Sequence, residues 1–212
     1  MIRDRLRRNL AYIHEALRQP EDFAVRWHVE GNPYSWGVFA ALALTAIVGT
    51  TTYGLILGMT GGPREMFRCG GAFTLGAGIA WSVPLPALYI LNSLAGSRLR
   101  ASTTFLAALV TTSWGGLALI AAIPVAWFFT AALPQKVVLL LVVHVAVFAS
   151  VGVAMADVFS RVKERLEPHR GRKPAWWLLL VGVLGGELFH ALGLFDFFLH
   201  SAAWQRITTM FS

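Results

Sequence analysis

The sequence predicts an all-α integral membrane protein: a bundle of about five transmembrane helices preceded by an interfacial amphipathic helix. Three observations carry that expectation. Hydrophobic residues make up 56% of the 212 and charged residues only 14%, against about 25% charged in an ordinary soluble domain. Five apolar runs follow one another, near residues 35–58, 73–95, 102–132, 137–159 and 174–201, each meeting the roughly 20 residues needed to cross the hydrocarbon. The charges sit almost wholly between those runs, where head groups and water solvate them.

At the N-terminus, Ile2, Leu6, Leu10, Ile13 and Leu17 recur at helical spacing among Arg3, Arg5, Arg7, Arg8 and Arg18. This is the pattern of a basic amphipathic helix lying on anionic lipid until Gln19-Pro20 ends it. A partner-binding or solvated helix fits equally, because the apolar stripe is narrow. No unbroken apolar core precedes residue 34, which argues against a signal peptide. Residues 21–32 read as a connector to Pro33, with Trp27 and Tyr34 as interface anchors.

Between the first two runs, residues 59–72 hold Gly61-Gly62-Pro63 and read as a turn, with Met66 and Phe67 dipping toward lipid. The second run carries Pro84 and Pro86 and stops at Gly96-Ser97-Arg98-Leu99-Arg100, and the third begins almost at once. So short a connection forces a tight helical hairpin whose turn lies at a membrane surface, since Arg98 and Arg100 are costly in hydrocarbon. In the third run Gly115-Gly116 and Pro124 predict a kink, or a break near Pro124. Leu133-Pro134-Gln135-Lys136 is a short turn into the fourth run. That run ends in an i, i+4 pair, Asp157 and Arg161, and a basic amphipathic continuation from Ser160 to Lys173. Trp127-Phe128-Phe129, Trp176-Trp177 and Phe195-Asp196-Phe197-Phe198 read as aromatic belts at span ends.

Counting Lys and Arg in alternate loops orients the bundle. The N-terminal segment, the 98–100 turn and the 161–173 connection hold fourteen of them, and the opposite side holds four. The positive-inside rule then puts the N-terminus in the cytoplasm and the C-terminus outside. The lipid- or partner-facing cations are Arg3, Arg5, Arg7, Arg8, Arg98, Arg100, Lys163, Arg165, Arg170, Arg172 and Lys173. Anionic lipid accounts for the net charge of +7 without nucleic acid. Cys69, the one cysteine, excludes an intrachain disulfide and lacks zinc-ligand spacing. There is no GxSxG, Walker, HExxH or dinucleotide fingerprint. Ser113, His144 and Asp157 form no triad, because Asp157 falls at the opposite face from the other two.

The hairpin segment Pro86-Ala87-Leu88-Tyr89-Ile90-Leu91-Asn92-Ser93-Leu94-Ala95-Gly96-Ser97, and the stretch Pro124-Val125-Ala126-Trp127-Phe128-Phe129, resemble the Yip1-like superfamily of five-span membrane proteins. Within it they are closest to a group of small bacterial proteins, some carrying an actin-binding WH2 label. The resemblance covers roughly residues 35–160. It implies a non-catalytic protein of the cytoplasmic membrane that works through other proteins or lipids. The Asp-Leu-Tyr-Gly-Pro motif of eukaryotic members is absent, so vesicle traffic does not carry over, and no residue pattern supports actin binding.

Polar residues inside the runs are few. Glu187 and His190, three apart, share a face of the fifth span, and Asp196 and His200 lie nearer its outer end. Glu187 lies about 13 residues from Pro174, roughly 20 Å into the span; His144 lies ~10 Å below the outer face on the fourth. Their depths coincide, and Ser113, Trp114 and Thr50 to Tyr53 fall in the same outer half. A layer of His144, Glu187 and His190 has three readings. It ties helices together by hydrogen bonds; it ligates a haem or chlorophyll-type cofactor through His144 or His190; or it forms a proton or ion path. The first is preferred, with no cofactor and no metal.

The expected organisation is a cytoplasmic amphipathic segment (1–32), a five-helix transmembrane domain (33–205) and a short tail (206–212). The expected role is a non-catalytic subunit or scaffold that assembles, stabilises or positions a larger membrane complex, through other integral membrane proteins and anionic lipids. The alternatives are a cofactor-binding subunit of an electron-transfer or light-harvesting complex, then a proton- or ion-coupled transporter component.

Overall fold

The computed structural model describes residues 11–31, 34–94, 96–170 and 176–194, without the side chains of 170 and 176–179. Arg3, Arg5, Arg7, Arg8, Arg172 and Lys173, Asp196 and His200 lie outside that set. Every regular element among the described residues is helical, and four stretches are long and apolar enough to cross a membrane.

Helix α1 occupies residues 11–18 and ends against Pro20. Its apolar stripe is covered by protein: Ala16 is fully buried, and Tyr12, Ile13 and Leu17 pack against the cluster of Phe23, Tyr34, Val38, Leu42, Leu106 and Val110. Of the expected stripe, Ile2, Leu6 and Leu10 lie outside the described residues, while Ile13 and Leu17 pack on the bundle. The expected connector is corrected. Residues 20–30 form α2 (Pro20–Glu30), with Pro20 at its start, Glu21 and Asp22 in its first turn and Gly31 closing it at φ 78. Proline pre-sets φ at a helix start, acids complement the N-terminal partial charge, and glycine takes the left-handed conformation without steric cost. Trp27 and Tyr34 are not belt anchors. Tyr34 stacks 4.0 Å from Phe23, lies 6.0 Å from Trp27 and donates a 2.7 Å hydrogen bond to the Phe23 carbonyl.

The long helices are α3 (Trp36–Leu57), α4 (Pro63–Ser82) continued by α5 (Pro84–Leu94), α6 (Ala101–Ala132) and α7 (Val137–Leu166). The expected 59–72 turn shrinks to a 3-10 turn at Met59–Gly61, and α4 starts ten residues before the expected span. Pro84 and Pro86 lack the amide hydrogens that would continue the ladder, so α4 gives way to α5 at Val83. Pro124 lies inside a continuous α6, so the expected break there does not occur. The 133–136 turn is as expected, and α7 carries on through the basic segment to Leu166. Helix α8 (Trp176–Ala191) is apolar but shorter than a full span over its described length.

Helix α3 sits between α6 and α4; α7 packs on α6, α8 on α4, and α5 touches α4, α6 and α8. Glycines set the two closest crossings. A Cβ on Gly116 would stand 2.6 Å from the Thr45 carbonyl oxygen, and one on Gly54 would stand 2.8 Å from Gly70 Cα. Backbones that meet this closely gain dispersion contacts, the main source of helix association where lipid is as apolar as the interface.

On the arginine-rich side the ends are tied by charge. Glu21 and Asp22 of α2 meet Arg161 and Arg165 of α7 at 3.3 and 3.6 Å, and Arg26 meets Glu15 at 2.8 Å. The expected Asp157–Arg161 pair is present at 3.1 Å. In the 96–100 turn Gly96 takes φ 85, and Ser97 Oγ donates to the Glu167 carboxylate at 2.8 Å. Lys163 Nζ donates to Asn92 Oδ1 at 2.9 Å.

Candidate functional site

Two features stand out in the interior: a buried polar pair, and an apolar cavity beside it. Tyr53, from the C-terminal half of α3, is fully buried, and His144, from α7, is 1% exposed. The Tyr53 hydroxyl and His144 Nδ1 are 2.8 Å apart, either group donating according to the imidazole tautomer. The rings meet edge to face at 89°. A phenol and an imidazole in hydrocarbon each need a partner, and each supplies the other's.

Three phenylalanines enclose the pair. Phe73 of α4 stacks on Phe148 of α7 at 5.4 Å and on Phe189 of α8 at 4.8 Å, and the Tyr53 ring lies 5.5 Å from Phe148. Four helices therefore converge on one aromatic cluster. All three phenylalanines also line a cavity of about 560 Å³ that extends between α3, α4 and α6 on one side and α7 and α8 on the other. His144 and Tyr53 are not among its lining residues. The rest of the wall is mostly alanine, glycine and threonine.

The expected layer of His144, Glu187 and His190 is not assembled. Glu187 and His190 are exposed on α8, and their side chains make no hydrogen bond or ion pair with any described residue. Helix α8 packs chiefly on α4 and α7 on α6; the two meet at Phe148 and Phe189, 6.1 Å apart, and share the cluster of Phe159 and Val181, but His144 is buried against α3 while Glu187 and His190 are exposed. The two histidines face no common space, which removes the paired-ligand geometry on which a haem reading relied. Among the described residues there is no group of three or more His, Cys, Asp and Glu placed to hold a metal.

The basic residues divide. Arg98 and Arg100 are exposed, whereas Arg165 is paired with Asp22 and Lys163 is engaged by Asn92. Arg170 is described in its backbone only, within the short 3-10 turn Pro168–Arg170. Arg68, which sequence reasoning left in a loop, ties two helices. Its guanidinium pairs with Glu65 one turn away and donates to the Leu192 and Gly193 carbonyls at 3.0 and 2.9 Å. A cation there complements the C-terminal partial charge of α8.

Tyr34, outside the spans, is the strongest electrostatic perturbation among the N-terminal groups. Burial, reinforced by the Glu15 carboxylate, pushes its phenol well above the ordinary tyrosine range, so it remains a protonated donor to Phe23. Ser113 Oγ and Trp114 Nε1 on α6 are buried and have no hydrogen-bond partner among the described residues. No family model matches the chain, and no curated protein or solved structure shows significant similarity to it.

Proposed function

We propose that the chain is a non-catalytic integral membrane subunit or scaffold that assembles, stabilises or positions a larger membrane protein complex. One observation carries the reading. Glu187 and His190 stand exposed on α8, about 17 and 21 Å along the axis from Trp176 at 1.5 Å per residue. An acid at that depth facing lipid is costly, and intramembrane acids face a bundle interior or a partner. Val183 and Leu180 beside them are also exposed, so the face offers an apolar surface with two polar groups that a neighbouring helix would pair.

In this reading α8 and the residues after it make the fifth crossing, in a bacterial cytoplasmic membrane with the N-terminus cytoplasmic and the C-terminus periplasmic. The Yip1-like resemblance points the same way, toward a protein acting through others. Its hairpin segment corresponds to α5 and the Gly96-Ser97 turn, held here by Glu167 and Lys163.

The test is isolation from the native membrane in mild detergent, with mass spectrometry and an absorption spectrum of whatever co-migrates. A colourless, stoichiometric complex is the expected result. A colourless monomer contradicts the reading, and a Soret or chlorophyll-type band lost in a His144 or His190 variant replaces it with the cofactor reading.

A further inference from the structure

The cavity between the two helix layers has the dimensions of one hydrocarbon chain. Along α6 its wall extends from Phe105 to Leu119, fourteen residues or about 21 Å. Spread over that length, 560 Å³ gives a mean cross-section of about 27 Å², room for one extended hydrocarbon chain.

Its wall is mostly apolar, with Ser82 and Trp81 the polar residues besides threonine. The lining threonines turn their hydroxyls to their own helices: Thr50 donates to the Ala46 carbonyl, Thr74 to Gly70 and Thr112 to Leu109, each at 2.9 Å. What they present to the slot is methyl, so water gains little there. An empty slot of this size forfeits the dispersion contacts of its lining. The space exists because side chains are missing: a Cβ on Gly152 or Gly182 would meet no atom within 4 Å.

The slot also has a charged end. Leu85 of α5 and Phe105 of α6 line it, and the turn joining those helices carries the exposed Arg98 and Arg100. Arg100 is five residues from Phe105, roughly 8 Å along the helix axis. We propose that the slot binds one acyl chain of an anionic phospholipid, whose head group is held at Arg98 and Arg100. Length, apolar lining and charge at one end together match that ligand. The inference is independent of which proteins the chain assembles with.

The test uses the full chain in detergent, analysed by native mass spectrometry and lipid extraction, then exchanged into nanodiscs of phosphatidylglycerol mixed with phosphatidylcholine. The wild type is expected to retain one phospholipid per chain and to favour phosphatidylglycerol. Gly152→Leu and Gly182→Leu fill the slot and lower retention at least about tenfold, with no fall in melting temperature. Should either leucine variant fail to fold, the Gly152→Ala/Gly182→Ala double variant adds only two methyl groups and gives partial loss. Arg98→Gln and Arg100→Gln keep the bound chain but reduce the anionic preference by about fivefold each, the scale of ~1 kcal/mol per surface cation. A wild type that retains no phospholipid, or retains a neutral isoprenoid instead, overturns the proposal. So do filled-slot variants with wild-type occupancy, or a wild type indifferent to head-group charge.

Discussion

The Tyr53 hydroxyl, on α3, meets His144 Nδ1, on α7, at 2.8 Å in a fully apolar surround. Together with the Tyr53–Phe148 ring contact, this contact joins two helices that are each packed chiefly on α6, beside the aromatic cluster.

Breaking that contact removes an interhelical hydrogen bond between two buried polar groups. Tyr53→Phe and His144→Phe are each expected to destabilise the protein, and the double variant to cost less than the two together. The coupling energy is expected near 1 kcal/mol, the scale of interhelical hydrogen bonds in membranes. Denaturation in mixed micelles across the double-mutant cycle measures it, and strict additivity contradicts the assignment.

Glycines with the same chemistry are expected to behave in opposite ways. At Gly116 a side chain would meet the Thr45 carbonyl oxygen at 2.6 Å and Ala46 Cα at 2.8 Å, backbone atoms that cannot swing aside. Gly116→Leu is therefore expected to cost more than about 3 kcal/mol and to abolish the monodisperse peak in size-exclusion chromatography. Gly78→Ala, where nothing lies within 4 Å, is expected to leave the peak and the melting temperature unchanged.

At the N-terminal unit, apolar burial outweighs charge. Phe23 is fully buried, and Phe23→Ala is expected to cost about 3–5 kcal/mol of docking. The Arg161–Glu21 pair is part exposed at 46% and 22%, so Arg161→Ala is expected to change docking by less than about 1 kcal/mol. Limited proteolysis of residues 11–31 reads both. Equal protection in wild type and Phe23→Ala contradicts the ranking.

Tyr34 gives that docking an alkaline limit. Its phenol is raised in the folded protein by burial first and by Glu15 second, so the folded state holds the proton more tightly than the unfolded one. That stability is fully present below the ordinary tyrosine value of 10.0 and declines as pH rises beyond it. Proteolysis of the N-terminal unit is expected to accelerate as pH rises above 10.0, and Tyr34→Phe to remove that tyrosine-dependent part of the acceleration.

Long apolar runs were legible because periodicity and length decide them: α3, α6 and α7 begin within a residue of where the sequence puts them. What was hidden lay where charge is neutralised by tertiary contact. Arg64, Glu65 and Arg68 disguised the first turns of α4, although Arg68 is neutralised by Glu65 and by the end of α8. Helix α2 carried its signals in Pro20, Glu21, Asp22 and Gly31, but a mostly polar segment reads as a connector until a surface is there to receive Phe23 and Ala24.

The polar layer was half legible for a similar reason. Depth arithmetic put Tyr53 and His144 in one outer layer, and the structure joins them. Depth says nothing about which helices are neighbours, so Glu187 and His190 were drawn to His144, when α8 turns them outward.

The proposed role requires the outward face of α8 to be covered by another membrane protein. Native-mass determination of the chain extracted from its own membrane, wild type beside Glu187→Leu, addresses it most directly. The wild type is expected in a defined complex heavier than the 23.2 kDa chain, and Glu187→Leu to be released from that complex with its fold and melting temperature intact. A wild type recovered as a monomer, or a Glu187→Leu variant with the same complex mass and stability to detergent, contradicts the claim.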